Sequence, residues 1–136
     1  MKVYFATTVI GDRSNLAVMR DIVSMLEKKG HTVLTKHLVL DNAYEIDARI
    51  TEQQVFERDV KWLRDADVII ADATGVSFGV GFEVGYALGC MNKKVYLLFN
   101  RNYRISRMAL GLEHKNCIKF GYNDVEELKE FVEKNF

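Results

Sequence analysis

The chain has 136 residues, about half of them apolar, and its 19 basic and 19 acidic side chains cancel. This length fits one domain with a core of its own, and the balanced charge argues against a nucleic-acid partner, because such partners usually select a basic excess. The chain has no run of 18 apolar residues and no signal-peptide pattern near its start, so we expect a cytoplasmic protein without membrane contact.

Short apolar runs alternate with segments of helical periodicity. In chain order the predicted elements are a strand at 3–7, a helix capped by Ser14 and ending at 28–30, a strand at 32–35, a long loop at 36–48, a helix at 49–66, a strand at 68–71, a helix at 82–91, a strand at 95–99, a polar loop at 100–107, a strand at 118–120 and a helix capped by Asn123. This alternation predicts an α/β fold, a single doubly wound domain over 1–136. Its sheet would have five parallel strands in the flavodoxin-like or Rossmann-like order 2-1-3-4-5, with helices on both faces and ligands at the carboxyl ends of the strands.

The glycine-rich segment 77–83 follows the third predicted strand and leads into a helix. Backbone N–H groups at a helix start attract anions, Gly79 and Gly81 would let the backbone approach a ligand, and Ser77 adds a hydroxyl donor. No lysine follows in the P-loop arrangement, which disfavours ATP hydrolysis of that type. A tight turn with helix-packing glycines is the alternative interpretation, because glycine recurs every four residues from Gly81.

Two carboxylates stand out. Glu83 fits the first turn of a helix, where it would complement the helix dipole, but its position also directs it towards the ligand crevice. Asp59 lies in the middle of the apolar face of the helix predicted at 49–66, where an unpaired carboxylate is costly. It is therefore satisfied by strand N–H groups or by an arginine, or it is an acid/base group with a raised pKa. Two carboxylates near one pocket are the minimum for cleaving a glycosidic bond, and Tyr4 is either a core aromatic or the group that holds Glu83.

Metal and redox chemistry lack support in the sequence. Cys90 and Cys117 lie far apart and form no CxxC pair, so we expect two core thiols in a reducing compartment. The three histidines share no ligand spacing. We therefore predict no metal site.

Several segments, taken together and in this order, are similar to those of the 2'-deoxynucleoside 5'-phosphate N-hydrolases, relatives of the nucleoside 2-deoxyribosyltransferases. The matching segments are 3–6, 33–37, 57–63, 66–71, the pattern Ser-x-Gly-x-Gly-x-Glu-x-Gly over 77–85, and Ile-Ser-x-Met over 105–108. They span nearly the whole chain. The resemblance implies that Glu83 is a nucleophile that forms a glycosyl-enzyme intermediate, that Asp59 is the general acid/base at the nucleobase, and that Tyr4 positions Glu83.

The resemblance also implies a phosphate site and an assembly. Ser77, Gly79 and Gly81 would hold the 5'-phosphate of a nucleoside 5'-monophosphate. In this family a serine of the neighbouring subunit completes that site, and Ser106 matches it, so we expect a homodimer. Neither a metal nor a cofactor is implied.

The first loop departs from the family pattern. The family typically reads Gly-Ser-Ile-Arg-Gly-Gly after the opening strand, whereas this chain reads Thr-Thr-Val-Ile-Gly-Asp over 7–12. The predicted substrate-binding residues of this loop are Thr7, Thr8, Val9, Ile10 and Gly11. Thr8 can replace the serine hydroxyl, but Ile10 stands where the family has an arginine. This loop should lie over the sugar and base, so the change bears on base preference and on deoxyribose against ribose.

The sequence therefore favours an N-glycosidase that releases a free base and a (deoxy)ribose 5-phosphate from a nucleoside 5'-monophosphate. A nucleoside 2-deoxyribosyltransferase is the nearest alternative, because it shares the covalent intermediate. A non-catalytic nucleotide-binding module also stays open because of the altered first loop. A flavodoxin-like redox protein is disfavoured, since the loop lacks a Ser/Thr-rich cradle for a flavin phosphate.

Overall fold

The computed structural model describes residues 1–136 as a parallel sheet covered by helices on both faces. The strands are β1 Lys2–Ala6, β2 Thr32–Val33, β3 Val68–Asp72, β4 Val95–Asn100 and β5 Cys117–Tyr122. The helices are α1 Leu16–Lys28, α2 Ala43–Asp47, α3 Glu52–Asp65, α4 Phe78–Met91, α5 Arg107–Gly111 and α6 Val125–Asn135, with a 3-10 helix at Lys36–Val39. All strand pairs are parallel in the order β2-β1-β3-β4-β5, which confirms the predicted fold. None of the helices combines the length and the apolar character that crossing a membrane requires.

Alternation along the strands divides the core into two layers. Val3 and Phe5 of β1 pack in a cluster with apolar side chains of α1 and α6. Tyr4 and Ala6 point to the other face and pack in a cluster with side chains of α3 and α4. The period of two in β1 therefore places the Tyr4 side chain in the same layer as the helices that carry the two candidate carboxylates.

The second strand is shorter than predicted because a side chain replaces its last backbone pairing. The Thr35 hydroxyl accepts a hydrogen bond from the Phe5 N–H at 2.9 Å and donates one to the Phe5 carbonyl at 2.7 Å. The segment 36–48, predicted to be a loop, contains the 3-10 helix and α2. These short helices bury Leu38 and Ala43, but each is too brief to produce a readable period in the sequence.

Besides α4, which is described below, three helices begin at a different residue from the predicted one. Their N-cap residues are Asn15 for α1, Thr51 for α3 and Asp124 for α6. Thr51 forms a capping box with Gln54, and this satisfies free N–H groups at that end. Asp124, rather than Asn123, accepts from the Glu127 N–H at 2.9 Å.

Helix α4 begins four residues earlier than predicted, and this changes the local picture of the glycine-rich segment. Ser77 is the N-cap, and its hydroxyl accepts from the Val80 N–H at 3.2 Å. The segment is therefore the first turns of a helix, and Glu83 lies in the second turn.

Cys90 near the end of α4 is exposed and Cys117 is half-buried, so the expectation that both thiols are core residues is wrong for Cys90.

Candidate active site

A short hydrogen bond joins the first strand to α4. The Tyr4 hydroxyl donates to Oε1 of Glu83 at 2.6 Å, although the two residues are 79 positions apart in the chain. Tyr4 has no exposed surface. Burial is the main reason that the pKa of Tyr4 lies far above its usual value, and the negative charge of Glu83 adds to it. The phenol therefore stays protonated and remains a hydrogen-bond donor to the carboxylate.

The Glu83 carboxyl is poised to change its charge near neutral pH. Its pKa is raised to about 7, mainly by burial; the hydrogen bond from Tyr4 opposes this rise, and the negative charge of Asp59 adds to it. A glutamate with a pKa near the working pH is available in both ionised and protonated forms. Such a group can serve as a nucleophile or as an acid/base.

Asp59 lies on α3, and burial raises its pKa as well. The sequence left two kinds of structural partner open for this carboxylate, and the structure has an arginine. Nε of Arg58 donates to Oδ1 of Asp59 at 2.8 Å, and this contact opposes the effect of burial on the pKa. Asp59 also contributes to the raised pKa of Glu83, so the two carboxyl groups interact electrostatically.

Arg58 belongs to a cluster that the sequence did not indicate. Its Nη1 donates to Oδ1 of Asp47 at 2.9 Å, and its guanidinium lies 4.8 Å from the centre of the Trp62 ring. Nε2 of His37 lies 3.2 Å from the same Asp47 oxygen. Asp47 comes from α2, inside the segment expected to be a loop, so no periodicity pointed to it. The one available signal was that Arg58 directly precedes Asp59.

The first loop, residues 7–12, is held in place by contacts near both of its ends. Thr7 and Thr8 are buried, and the Thr8 hydroxyl accepts from the Gly11 N–H at 2.9 Å. A Cβ atom at Gly11 would lie 2.6 Å from the backbone oxygen of Val76, so only glycine fits this approach. Ile10 lies between these fixed points and is 85% exposed.

A buried polar network supports this loop from below. Asp72, at the carboxyl end of β3, accepts from the Thr74 N–H at 3.0 Å and lies 3.5 Å from the Thr7 hydroxyl. Asn15 donates to the Tyr122 hydroxyl at 2.9 Å. Burial raises the pKa of Asp72. Of the residues in this network only Thr7 was predicted from the sequence, as a substrate-binding residue; together they tie the ends of β1, β3 and β5 to the start of α1.

A cavity of about 510 Å³ lies beside α4, and it is lined mainly by apolar side chains of α4 and α5. Ser77, Gly81 and Ser106 line it, whereas the three candidate catalytic residues do not. A Cβ atom at Gly81 would meet nothing within 4 Å, and at Gly79 only the Ser77 hydroxyl at 3.8 Å. The structure therefore brings three of the four candidate phosphate-binding residues, Ser77, Gly81 and Ser106, to one cavity beside α4, whereas Gly79 does not line it.

Comparisons with known proteins agree with this architecture. The model of the family described as nucleoside 2-deoxyribosyltransferase matches residues 3–128. A protein of Thermofilum pendens, named as a candidate 2'-deoxynucleoside 5'-phosphate N-hydrolase, is 40% identical over 129 residues, which are 93% of this chain and 89% of that protein. The 5-hydroxymethyl-dUMP N-hydrolase of Danio rerio is 31% identical over 139 residues, covering 100% of this chain and 96% of the relative.

A solved structure shares the fold over its whole length. The CMP N-glycosidase BcmB of Clostridium botulinum superposes with a TM-score of 0.74 and covers 100% of both chains. Its sequence is 24% identical to this chain. At this level of identity the likeness establishes the fold.

The raised pKa of Glu83 predicts a pH-dependent effect of removing its charge. Between about pH 4.5 and 7 the unfolded glutamate ionises while the folded one keeps its proton, so this residue lowers stability as pH rises. We expect the stability of Glu83→Gln relative to the unchanged protein to rise across this range and to level off above pH 7 at about 3 kcal/mol. Thermal or urea unfolding at a series of pH values measures the difference. Glu130→Gln, at an exposed position, is the control and should give a difference that does not vary with pH.

Proposed function

The chain belongs to the nucleoside 2-deoxyribosyltransferase family, and we propose that it is an N-glycosidase of nucleoside 5'-monophosphates. It would release a free base and a (deoxy)ribose 5-phosphate. The observation that carries this proposal is the 2.6 Å hydrogen bond from buried Tyr4 to Glu83, with the charge of Asp59 close enough to raise the pKa of Glu83. The names of the two relatives, both N-hydrolases of deoxynucleoside phosphates, support the same substrate class.

In the first step the ionised Glu83 attacks the anomeric carbon of the sugar. Tyr4 holds Oε1, which leaves Oε2 to form the new ester bond. The bond from the sugar to the base breaks, and Asp59 donates its proton to the departing nitrogen base. The products of this step are a glycosyl ester of Glu83, a neutral base and an ionised Asp59.

In the second step Asp59 removes a proton from water, and the resulting hydroxyl adds to the anomeric carbon. The ester bond to Glu83 breaks, and its electron pair returns to the carboxylate. Asp59 is protonated again and Glu83 is again ionised. The enzyme is restored, and no group beyond water is consumed.

The 5'-phosphate would bind at the start of α4. Ser77 caps this helix, and the free N–H groups of its first turn together with the helix dipole favour an anion. Open space beside Gly79 and Gly81 allows the phosphate oxygens to approach the backbone. Ser106 is exposed, so its hydroxyl is free to donate to a phosphate bound by a neighbouring subunit.

We propose that the protein is a homodimer and that Ser106 acts in the site of the neighbouring subunit. The support is an exposed apolar surface around the start of α4 and α5. Val76 is 80% exposed, Phe78 90% and Met108 87%, and a large apolar surface of this kind marks an interaction site. A Cβ atom at Gly81, Gly85 or Gly89 of α4 would meet nothing within 4 Å in its own chain, which leaves room for a second helix to approach.

The first loop would lie over the sugar and base. Thr7 and Thr8 are held by buried contacts, so Val9 and Ile10 are the side chains free to meet the substrate. Ile10 has no charge and no hydrogen-bond donor, and its contribution is limited to apolar contact. This loop therefore selects the base by shape more than by hydrogen bonding.

A transferase is the second candidate, because the matching family carries that description. Both reactions pass through the same glycosyl ester on Glu83. They differ in whether water or a second base attacks that ester. The candidate phosphate site favours hydrolysis of a monophosphate.

The first prediction from this mechanism concerns the nucleophile. Glu83→Ala removes the group that attacks the sugar, so we expect kcat to fall by at least about a thousandfold with substrate binding largely retained. Released base, measured by chromatography, and binding, measured by calorimetry, are the readouts. Glu130→Ala is the matched control and should keep normal turnover.

The substrate for that assay comes from a screen of all ribo- and deoxyribonucleoside monophosphates, including modified pyrimidines. Near-normal hydrolysis by Glu83→Ala would show that the mechanism is wrong. Binding of a monophosphate without release of any base would instead favour the non-catalytic nucleotide-binding module.

The second prediction concerns the phosphate site. Ser106→Ala loses one donor to the phosphate, so we expect KM for the monophosphate to rise about tenfold with kcat nearly unchanged. Ser24→Ala, at an exposed position of α1, is the control. Kinetics with an unphosphorylated nucleoside should show no effect of either substitution.

The shared site predicts complementation. In a mixed dimer of Ser106→Ala with Glu83→Ala, one site has both Glu83 and the partner's serine, so about a quarter of all sites should be intact after equal mixing and exchange. Activity at low substrate should then exceed that of either variant alone. No gain on mixing, in a protein whose mass in solution is about twice 15.6 kDa, would place Ser106 in its own chain's site.

A further prediction separates hydrolysis from transfer. When a good monophosphate substrate is incubated with an excess of a second free base, we expect free sugar phosphate as the main product and little exchanged nucleotide. The reason is that water competes for the glycosyl ester. Chromatography of both nucleotides measures the ratio, and a dominant exchanged nucleotide would establish the transferase.

A further inference from the structure

We propose that Arg58 is a positioning residue that controls which of the two carboxyl groups, Asp59 or Glu83, holds the proton before cleavage, with Asp47 as its second anchor. This inference rests on the proposed N-glycosidase function. Arg58 acts through Asp59, and we assign it no contact with the reacting atoms. The geometrical basis of the proposal is that Arg58 lies between the carboxylates of Asp59 and Asp47 and is hydrogen-bonded to both.

The arginine is held firmly. Nε binds Asp59 at 2.8 Å and Nη1 binds Asp47 at 2.9 Å, so two edges of one rigid guanidinium engage two different carboxylates. The three side chains are only 19–20% exposed, which limits screening by solvent. The Trp62 ring, 4.8 Å away, adds a cation–π contact that fixes the plane of the guanidinium.

The charged and titratable groups around Asp59 come from every element packed beside it. They are Arg58 on its own helix, Asp47 on α2, His37 on the 3-10 helix, Glu83 on α4 and Tyr4 on β1. The charge of Arg58 favours the ionised form of both carboxyl groups, but its hydrogen bond is to Asp59, so it stabilises the charge of Asp59 more strongly. In the resting arrangement the arginine therefore directs a shared proton towards Glu83.

Catalysis requires the opposite distribution, with a proton on Asp59 and a negative charge on Glu83. A loosened contact between Arg58 and Asp59 allows the proton to move to Asp59. When the contact with Asp59 loosens, Arg58 stays paired with Asp47. This matters because a buried arginine without any carboxylate partner would be strongly destabilising. The ion pair of Asp47 and Arg58 thus couples the loosening of the Arg58–Asp59 contact to the transfer of the proton from Glu83 to Asp59, which leaves Glu83 ionised.

The test is the pH dependence of kcat/KM for a nucleoside monophosphate, which reports the ionisation of the free enzyme. Arg58→Gln removes a positive charge beside the two carboxyl groups, so we expect both limbs of the profile to move to higher pH by about one unit. Asp47→Asn removes a negative charge and leaves Arg58 to Asp59 alone, so the profile should move to lower pH. Arg58→Lys keeps the charge and should restore the limbs to within a few tenths of a unit of their original pH.

If Arg58 had a purely structural role, both substitutions would lower activity without moving the two pH profiles in opposite directions. Profiles of Arg58→Gln and Asp47→Asn that do not shift, or that shift in the same direction, would overturn the proposal. Carboxyl-carbon NMR titration of the same variants gives the same comparison without turnover, and unmoved titration of Asp59 in Arg58→Gln would overturn it too. Failure of the N-glycosidase function has a different signature, since the unchanged protein itself would then release no base.

Discussion

The hydrogen bond between Tyr4 and Glu83 is the contact on which the candidate site depends. It joins β1 to α4, the helix that follows the neighbouring strand β3, at a point where Tyr4 is fully buried and Glu83 is half-buried. Since the phenol donates and cannot easily lose its proton there, it orients one carboxylate oxygen and leaves the other available. The same burial that makes the contact strong raises the pKa of Glu83 towards neutrality, so its orientation and its charge are set by one environment.

A second carboxylate with its own cation beside it turns this contact into a coupled electrostatic unit. Burial raises the pKa of both Asp59 and Glu83, and the partners oppose it by different means, Tyr4 through a neutral donor and Arg58 through a full charge. Pairs of acids with environments of this unequal kind divide the acid and base roles between them. In such a unit the observed titrations belong to the pair, and neither residue has a pKa of its own in the strict sense.

The sequence was informative where a pattern is repeated or where a residue conflicts with its surroundings. The strand order followed from five apolar runs separated by helices, and Asp59 attracted notice because a carboxylate interrupted an apolar face. The true start of α4 was hidden, since Gly79 and Gly81 weaken a helical pattern while Ser77 caps it. The ion pair between Asp47 and Arg58 could not be predicted from the sequence. Asp47 lies in α2, and this helix of five residues is too short to show a hydrophobic period.

The closed first loop has a consequence for how substrate choice can change in proteins of this design. Thr8 and Gly11 are joined by a hydrogen bond, Gly11 tolerates no side chain against Val76, and Thr7 is buried over the polar network below it. Variation without damage to the scaffold is therefore confined to Val9 and Ile10. For an enzyme of the proposed activity, the loop can then change substrate selectivity only through these two side chains, while its backbone stays fixed. A library of variants at only these two positions therefore samples most of the selectivity that the loop can provide.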